Sequence, residues 1–190
     1  MEQKKVKFYF AYNSPSAFLA NTHIKHDLAP FAVTVEYKPV YSPRRGGPDP
    51  NAPKLKYLQE DVRRFADAYG LRLNPGPFAD SKKACLGFLF AQARECGTAY
   101  HDGVYTARWL DGKDIGQDEV LAEVAEHSSL SRVEFLAALH DAHYEAALAQ
   151  SNTEAETGGV FGFPFFLYAG QKFWGNDRIE CLVRTIRQKG

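Results

Sequence analysis

The most informative part of the chain is residues 8–19, Phe8-Tyr9-Phe10-Ala11-Tyr12-Asn13-Ser14-Pro15-Ser16-Ala17-Phe18-Leu19. Val6, Phe8, Phe10 and Tyr12 alternate along the chain here and place apolar side chains on one face of a strand, for which aromatic and β-branched residues are suited. Ser14 is a residue type that caps helices, and Pro15 fits the first helical position, where its missing N–H costs no hydrogen bond. The sequence therefore predicts a strand that turns into a helix at Ser14.

The Ser14 hydroxyl is thereby predicted to lie at the carboxyl end of a strand and at the positive end of a helix. Ligands of open α/β sheets tend to bind at such a place. An anion there would meet free backbone N–H groups and the helix dipole. The simpler alternative is that Ser14 is only a helix cap, and for an isolated Ser-Pro pair that interpretation is preferred. Motifs near the other end of the chain favour the ligand site over a helix cap alone.

The rest of the chain alternates between strand and helix patterns in an informative order. A second strand is predicted at Val33–Tyr37, a helix at Lys54–Tyr69, five helices between Ser81 and about Gln150, a hairpin formed by Phe165–Tyr168 and Lys172–Trp174, and a last helix at Asp177–Arg187 whose start carries an Asp177–Glu180 capping box. The order β-α-β, helices, β-β-α is that of an α/β thioredoxin-like fold with an all-helical insertion. The predicted division is 1–79 and 153–190 for the thioredoxin-like part and 80–152 for the insertion.

A proline stands directly before the predicted third strand. In a thioredoxin-like fold this proline is usually cis, and Phe163-Pro164 occupies the position here. The backbone N–H and C=O of Phe163 are then expected to pair with an extended thiol peptide, as a short strand would. The alternative is a trans proline that begins an edge strand.

Composition excludes several classes of function. The 190 residues carry 23 basic and 23 acidic side chains, so the formal net charge of zero argues against nucleic acid or a membrane surface as a partner. No apolar run could span a membrane, and the early first strand leaves no room for a signal peptide, so a cytoplasmic location is expected. The three cysteines form no Cys-x-x-Cys motif; Cys85 and Cys96 are expected on one helix, too far apart for a disulfide.

Four of the six histidines occur in two pairs whose spacing is not accompanied by other metal ligands. His23 and His26 are predicted on one helix, and His140 and His143 on another. Since no cysteine or carboxylate cluster accompanies them at a known ligand spacing, exposed helix positions are preferred and no metal site is predicted.

The motifs taken together resemble those of the 2-hydroxychromene-2-carboxylate isomerases, which are relatives of the kappa-class glutathione transferases. The resemblance covers residues 6 to about 187 and rests on four motifs, of which the two at the ends are specific in this order and separation. The four motifs are Phe8-Tyr9-Phe10 with Ser14-Pro15, Lys54 with Tyr57-Leu58 and Asp61, Val160-Phe161-Gly162-x-Pro164, and Trp174-Gly175-Asn176-Asp177-Arg178.

The resemblance implies a glutathione site and assigns a role to each matching position. Ser14 would contact the glutathione sulfur, and Phe163, before Pro164, would pair its backbone with the cysteinyl unit. Asn176 and Asp177 would hold the γ-glutamyl end. Lys54 would lie near the glycyl carboxylate, with Asn51 as a neighbour.

These residue types suit that chemistry independently of the resemblance. A thiol with an ordinary pKa near ~8.5 is mostly protonated at neutral pH, and a helix N-terminus with a hydroxyl donor favours the thiolate. Asp177 can pair with an ammonium group and Lys54 with a carboxylate. The chain departs from the family at four positions close to the predicted site, which are Ala11, Ala17, Phe18 and Phe165. These departures bear on the substrate more than on the cofactor.

The resemblance implies a glutathione-dependent isomerase that acts on an aromatic-derived acid, as in the catabolism of aromatic compounds. Relatives are commonly homodimers, so a homodimer is expected. Two alternatives stay open: a kappa-like glutathione transferase, and a non-catalytic thioredoxin-like module that binds thiols or peptides. Disulfide exchange by the protein itself is the least favoured option, because no cysteine lies near Ser14 in the sequence.

Overall fold

A computed structural model describes residues 4–41 and 52–189 of the chain. Within these ranges the chain forms a sheet covered by helices. The strands are β1 (Lys4–Phe10), β2 (Val33–Pro39), β3 (Phe165–Tyr168) and β4 (Gln171–Trp174). The helices are α1 (Pro15–Leu28), α2 (Ala52–Ala68), α3 (Lys82–Gln92), α4 (Gly97–Trp109), α5 (Asp118–His127), α6 (Arg132–Ala138), α7 (Ala142–Thr157) and α8 (Ile179–Lys189), the last preceded by a 3-10 turn at Asn176–Arg178.

The four strands form one mixed sheet in the order β2-β1-β3-β4. β1 runs parallel to β2 and antiparallel to β3, so Phe8 lies between Tyr37 and Phe166. β3 and β4 form the predicted hairpin, whose turn places Ala169 and Gly170 at positive φ, as a two-residue hairpin turn requires. The predicted thioredoxin-like α/β fold is therefore confirmed, with the helical segment between its two parts.

The core explains why β1 is rich in aromatic residues. Val6, Phe8, Phe10 and Tyr12 point to one face and are completely buried. They pack in one large cluster with the helices, whereas the opposite face carries a smaller cluster around Tyr9 and other residues, namely Val40, Ala155 and Phe165. The last strand residue thus leads directly from the core into the turn that precedes Ser14.

The helical segment corrects one prediction about the cysteines. α3 ends at Gln92, and the chain reverses through Glu95, which has a positive φ, so Cys96 lies outside α3 and immediately before α4. Gly97 begins α4 and does not terminate the preceding helix. A Cβ at Gly97 would lie 3.0 Å from the Gln92 Cα, so the glycine permits the close approach of the two helices. Cys85 and Cys96 consequently do not share a helix.

The ends of two other helices also differ from the predictions. His140 lies between α6 and α7, so it does not share a helix with His143. The Asp177–Glu180 capping box is wrong as well, because Asp177 lies inside the 3-10 turn, whose cap position is taken by Gly175 without a side-chain hydrogen bond. The predicted domain limit at residue 152 falls within α7, which continues to Thr157. The division into domains stays a prediction.

No helix within residues 4–41 and 52–189 is both long and apolar enough to cross a bilayer.

Candidate functional site

Ser14 lies where the sequence predicts it, between β1 and α1. Its backbone is extended, its Oγ accepts a hydrogen bond from the Ala17 N–H at 3.2 Å, and Pro15 follows at the first helical position. The same Oγ donates to the backbone carbonyl of Phe163 at 3.0 Å. Ser14 is thus both a helix cap and the contact between β1–α1 and the segment that precedes β3.

The Phe163-Pro164 peptide bond is cis, as predicted. Phe163 is half-buried, and in the described part of the chain no acceptor is bonded to its N–H. The Pro164 carbonyl accepts from the Gly175 N–H at 3.0 Å. Pro164 therefore joins the neighbourhood of Ser14 to the start of the Gly175-Asn176-Asp177 motif.

Asn176 and Asp177 lie at the start of α8 with opposite exposures. Asn176 is buried, and its Nδ2 lacks a hydrogen-bond acceptor within the described residues. Its amide lies beside the hydroxyl of Tyr69, whose pKa is raised because burial outweighs the stabilisation of the phenolate by that amide. Asp177 is exposed and forms an ion pair with Arg178 at 3.3 Å. The motif thus presents a buried amide and an accessible carboxylate side by side.

The remaining predicted binding residues cannot be placed against this geometry. Lys54 belongs to the first turn of α2, and its side chain is outside the described atoms. Asn51 lies outside the described residues. Their expected contact with a glycyl carboxylate stays a prediction.

The sequence reasoning missed the residues that hold the turn before Ser14. Tyr105 donates its hydroxyl hydrogen to the Ala11 carbonyl at 3.3 Å, and the Trp109 indole donates to the Tyr12 carbonyl at 3.1 Å. On the other side, the Asn13 amide donates to the carbonyl of a residue before α3, Ala79, at 2.9 Å. The available signal was the four-residue spacing of Tyr105 and Trp109, which places both on one face of α4.

None of the three cysteines belongs to the start of α1, since Cys85 lies in α3, Cys96 directly before α4 and Cys181 in α8. Cys85 is completely buried in the core, and burial raises the pKa of its thiol, so it stays protonated. Cys96 and Cys181 are half-buried and free. The residue at the helix start that faces the cis-proline segment is therefore a hydroxyl group, Ser14.

A histidine that the sequence analysis passed over is the most buried of its type. His101 is fully enclosed by aromatic rings, among them Phe10 at a centroid distance of 4.1 Å, and burial holds its pKa well below the usual range. Its Nδ1 lies 3.4 Å from the Tyr12 hydroxyl. Of the histidines predicted to be exposed, His23 is half-buried against Tyr69, at a centroid distance of 3.8 Å. Within residues 4–41 and 52–189, no group of histidine, cysteine and carboxylate side chains could hold a metal ion.

Comparisons with known proteins agree with this geometry. The sequence model of the DSBA-like thioredoxin domain matches residues 5–187. A 2-hydroxychromene-2-carboxylate isomerase of Sphingobium xenophagum is 28% identical over 94% of the chain and 96% of its own length. One from Pseudomonas putida is also 28% identical, over 95% and 93%.

The solved structures give the same result. A 2-hydroxychromene-2-carboxylate isomerase structure superposes with a TM-score of 0.87 at 26% identity, covering 97% of this chain and 95% of that one. The resemblance predicted from the motifs is confirmed, and the named relatives support an enzyme.

Proposed function

The chain belongs to the DSBA-like thioredoxin domain family, and from this premise we propose that it binds glutathione at Ser14 and isomerises a conjugated, aromatic-derived acid. The proposal rests on the isomerases that match nearly the whole chain and on the arrangement around Ser14. The observation that carries it is the hydrogen bond from the Ser14 Oγ to the Phe163 carbonyl at 3.0 Å.

That hydrogen bond joins two groups that a bound thiol peptide would use. A serine hydroxyl has one proton to donate, and in this structure it goes to the Phe163 carbonyl. When a cysteinyl backbone N–H replaces Ser14 as the donor to Phe163, the Ser14 proton becomes free to turn towards the sulfur. One internal hydrogen bond is then exchanged for two to the ligand, so the ligand-free pairing keeps both groups in position.

The surroundings of Ser14 favour a thiolate over a thiol. Ser14 caps α1, so a sulfur bound there would face the positive end of a helix of 14 residues. A hydrogen bond from a hydroxyl to the charged form lowers the pKa of a thiol further. Serine supplies this donor and, unlike cysteine, cannot form a disulfide with the ligand.

The residues at the start of α8 suit the γ-glutamyl end of the tripeptide. The buried Nδ2 of Asn176 lacks an acceptor within the described residues, so a γ-glutamyl oxygen that reached it would complete its hydrogen bonds. Asp177 offers a carboxylate for the ammonium group, in exchange for its exposed pairing with Arg178. These residues therefore fit glutathione, and they would orient it with its sulfur towards Ser14.

Bound glutathione would supply a thiolate that adds reversibly to a conjugated carbon, allows rotation about the former double bond and leaves unchanged. The Ser14 hydroxyl would hold that thiolate by donating a hydrogen bond to its sulfur. The aromatic core beneath the turn, with Phe10 and Tyr12 fully buried, keeps water away from the inner side of the site.

The direct test is thermal denaturation with glutathione and two analogues. At about 100 times its dissociation constant a ligand contributes ~2.7 kcal/mol to stability. For a chain of this size that raises the melting temperature by roughly 5–10 °C. Cysteinylglycine, which lacks the γ-glutamyl group, should raise it far less, and S-methylglutathione tests the sulfur end. No shift with millimolar glutathione would contradict the proposal.

Product analysis separates the isomerase from a transferase that uses the same site. Isomerisation of a conjugated acid returns glutathione unconsumed, whereas conjugation removes free thiol in proportion to product. If glutathione binds and neither reaction is observed with conjugated acids, the chain is a thiol-binding module. An equal melting shift with cysteinylglycine would also favour that module.

A further inference from the structure

Helix α4 carries a stripe of three aromatic residues that all reach the turn before Ser14. His101, Tyr105 and Trp109 follow one another at a spacing of four, so their side chains lie on one face of the helix. All three are buried, with exposed fractions of 0%, 1% and 7%. The same face of one helix therefore contacts Ala11 and Tyr12 in succession.

The stripe binds the turn through its backbone. The Ala11 carbonyl accepts from two donors, the Ser14 N–H at 3.0 Å and the Tyr105 hydroxyl at 3.3 Å. The next carbonyl, of Tyr12, accepts from the Trp109 indole N–H at 3.1 Å. Two consecutive peptide groups directly before Ser14 are thus fixed by side chains of α4.

Helix α4 is itself attached to the helix that Ser14 begins. The Asp102 carboxylate accepts from the Asn21 amide at 2.7 Å and pairs with the Lys25 ammonium, and both of these residues belong to α1. The Phe18 ring, on the first turns of α1, stacks on Trp109 at a centroid distance of 6.3 Å. α4 therefore holds both the turn before Ser14 and the helix after it.

We infer that Tyr105 and Trp109 are positioning residues, which act through the Ala11 and Tyr12 carbonyls to aim the Ser14 hydroxyl at the bound sulfur. This inference rests on the proposed glutathione site, and it assigns to the helical segment a part in the chemistry as well as in the core. If both donors are removed, the Ala11 carbonyl keeps only the hydrogen bond from the Ser14 N–H, and the Tyr12 carbonyl loses its hydrogen bond to Trp109. Ser14 could then turn away from the position where its proton meets the thiolate.

Packing alone is the competing explanation, and the side chains offer a way to separate the two. Tyr105→Phe keeps the ring and its contact with Phe18, at 5.8 Å, but removes the donor to Ala11. Tyr100→Phe is the matched control, since Tyr100 is a fully buried tyrosine of the same helix whose hydroxyl has no hydrogen-bond partner in the described structure. Trp109→Phe is a second test variant, which loses volume along with the indole donor.

The first measurement titrates the thiol of bound glutathione through the ultraviolet absorbance of its thiolate. We expect Tyr105→Phe and Trp109→Phe each to lower the acid dissociation constant of that thiol about three- to tenfold, and Tyr100→Phe to leave it unchanged. In a Ser14→Ala background, Tyr105→Phe should have no further effect, because its influence passes through the missing hydroxyl. Equal values for wild type and Tyr105→Phe would overturn the inference, as would a full effect in the Ser14→Ala background.

The second measurement needs no ligand. Amide hydrogen exchange at Ser14, whose N–H donates to Ala11, should accelerate about three- to tenfold in Tyr105→Phe and not in Tyr100→Phe. If wild type fails to bind glutathione, the proposed function fails, and this measurement still decides whether α4 fixes the turn. Unchanged exchange in Tyr105→Phe and Trp109→Phe would overturn the positioning role by itself.

Discussion

The two ends of the candidate site differ in how many of their polar groups already have hydrogen-bond partners within the protein. At the sulfur end, Ser14 caps α1, bonds to Phe163 and follows a turn whose carbonyls are held by α4. At the amino end, the buried Nδ2 of Asn176 has no acceptor in the described structure, and Asp177 pairs only with its exposed neighbour Arg178.

This difference indicates separate tasks for the two ends. A group that must stabilise charge during a reaction benefits from being fixed before the substrate arrives, because no reorganisation is then required. A group that recognises one end of a ligand gains most when the ligand completes its hydrogen bonds. Substitutions at the sulfur end should therefore change reactivity, and those at the amino end should change affinity.

Ser14→Ala is expected to have the largest effect, and the effect should be on reactivity. The bound thiolate loses one donor, worth roughly 1.5–3 kcal/mol, so turnover should fall on the order of 10- to 150-fold and the pKa of the bound thiol should rise. Loss of the cap also costs about 1 kcal/mol of stability. Ser16→Ala, in the first turn of the same helix, is the control. Unchanged turnover in Ser14→Ala would reduce Ser14 to a helix cap.

Gly175→Ala tests the amino end through its backbone. Gly175 has φ +111°, and a Cβ there would lie 2.5 Å from the Asp177 Oδ1, so the carboxylate must move. We expect a loss of about 1–3 kcal/mol in stability and about three- to tenfold in glutathione affinity, no more than removal of the carboxylate itself would cause.

Gly170→Ala is the matched control for Gly175→Ala. Gly170 also has a positive φ, but nothing lies within 4 Å of its Cβ position. It should cause a smaller backbone strain, also at a positive φ, and leave glutathione affinity unchanged. Equal affinities in the two variants would remove Asp177 from the binding site.

Asp177→Ala should have a smaller effect, confined to affinity. Asp177 is exposed, so the loss of its pairing with the ligand ammonium should weaken glutathione binding about three- to tenfold, measured by calorimetry. The pKa of the bound thiol should stay the same, in contrast to Ser14→Ala. Binding of cysteinylglycine, which lacks the γ-glutamyl ammonium, should not change. Glu180→Ala provides an exposed acidic control from the first turn of α8.

The sequence could predict features that a single local pattern determines. The β1–α1 junction follows from alternation in residues 6–12 and from the Ser14-Pro15 pair; the helix start is found as predicted, whereas β1 ends at Phe10 and Tyr12 lies in the turn. Gly97 shows where such reasoning fails. A glycine after an apolar stripe is typical of a helix end, but here α3 already ends at Gln92, and Gly97 begins α4, where its missing Cβ lets the turn pass close to Gln92.

The support around Ser14 could not be predicted, because its parts lie far apart in sequence. Tyr105 and Trp109 are more than 90 residues from the carbonyls that they bind. From sequence, aromatic residues at helical spacing are indistinguishable from ordinary core positions. The predicted Asp177–Glu180 capping box is absent because a 3-10 turn precedes α8. The cap position of that turn is taken by Gly175, whose positive φ would be strained in a residue with a side chain.

Replacement of the cysteines should have the smallest effect of all on reactivity. If the nucleophile is the thiol of the tripeptide, none of Cys85, Cys96 and Cys181 takes part in the reaction. Cys85→Ala removes a buried side chain, so its melting temperature should fall, by roughly 2–4 °C for each kcal/mol lost. Cys96→Ser and Cys181→Ser, at half-buried positions, should lower it less. In all three variants the titration of bound glutathione and its affinity should match wild type. Loss of turnover in a folded Cys85 or Cys96 variant would instead place the reactive thiol in the protein, and the sulfur end of the site would then need another role.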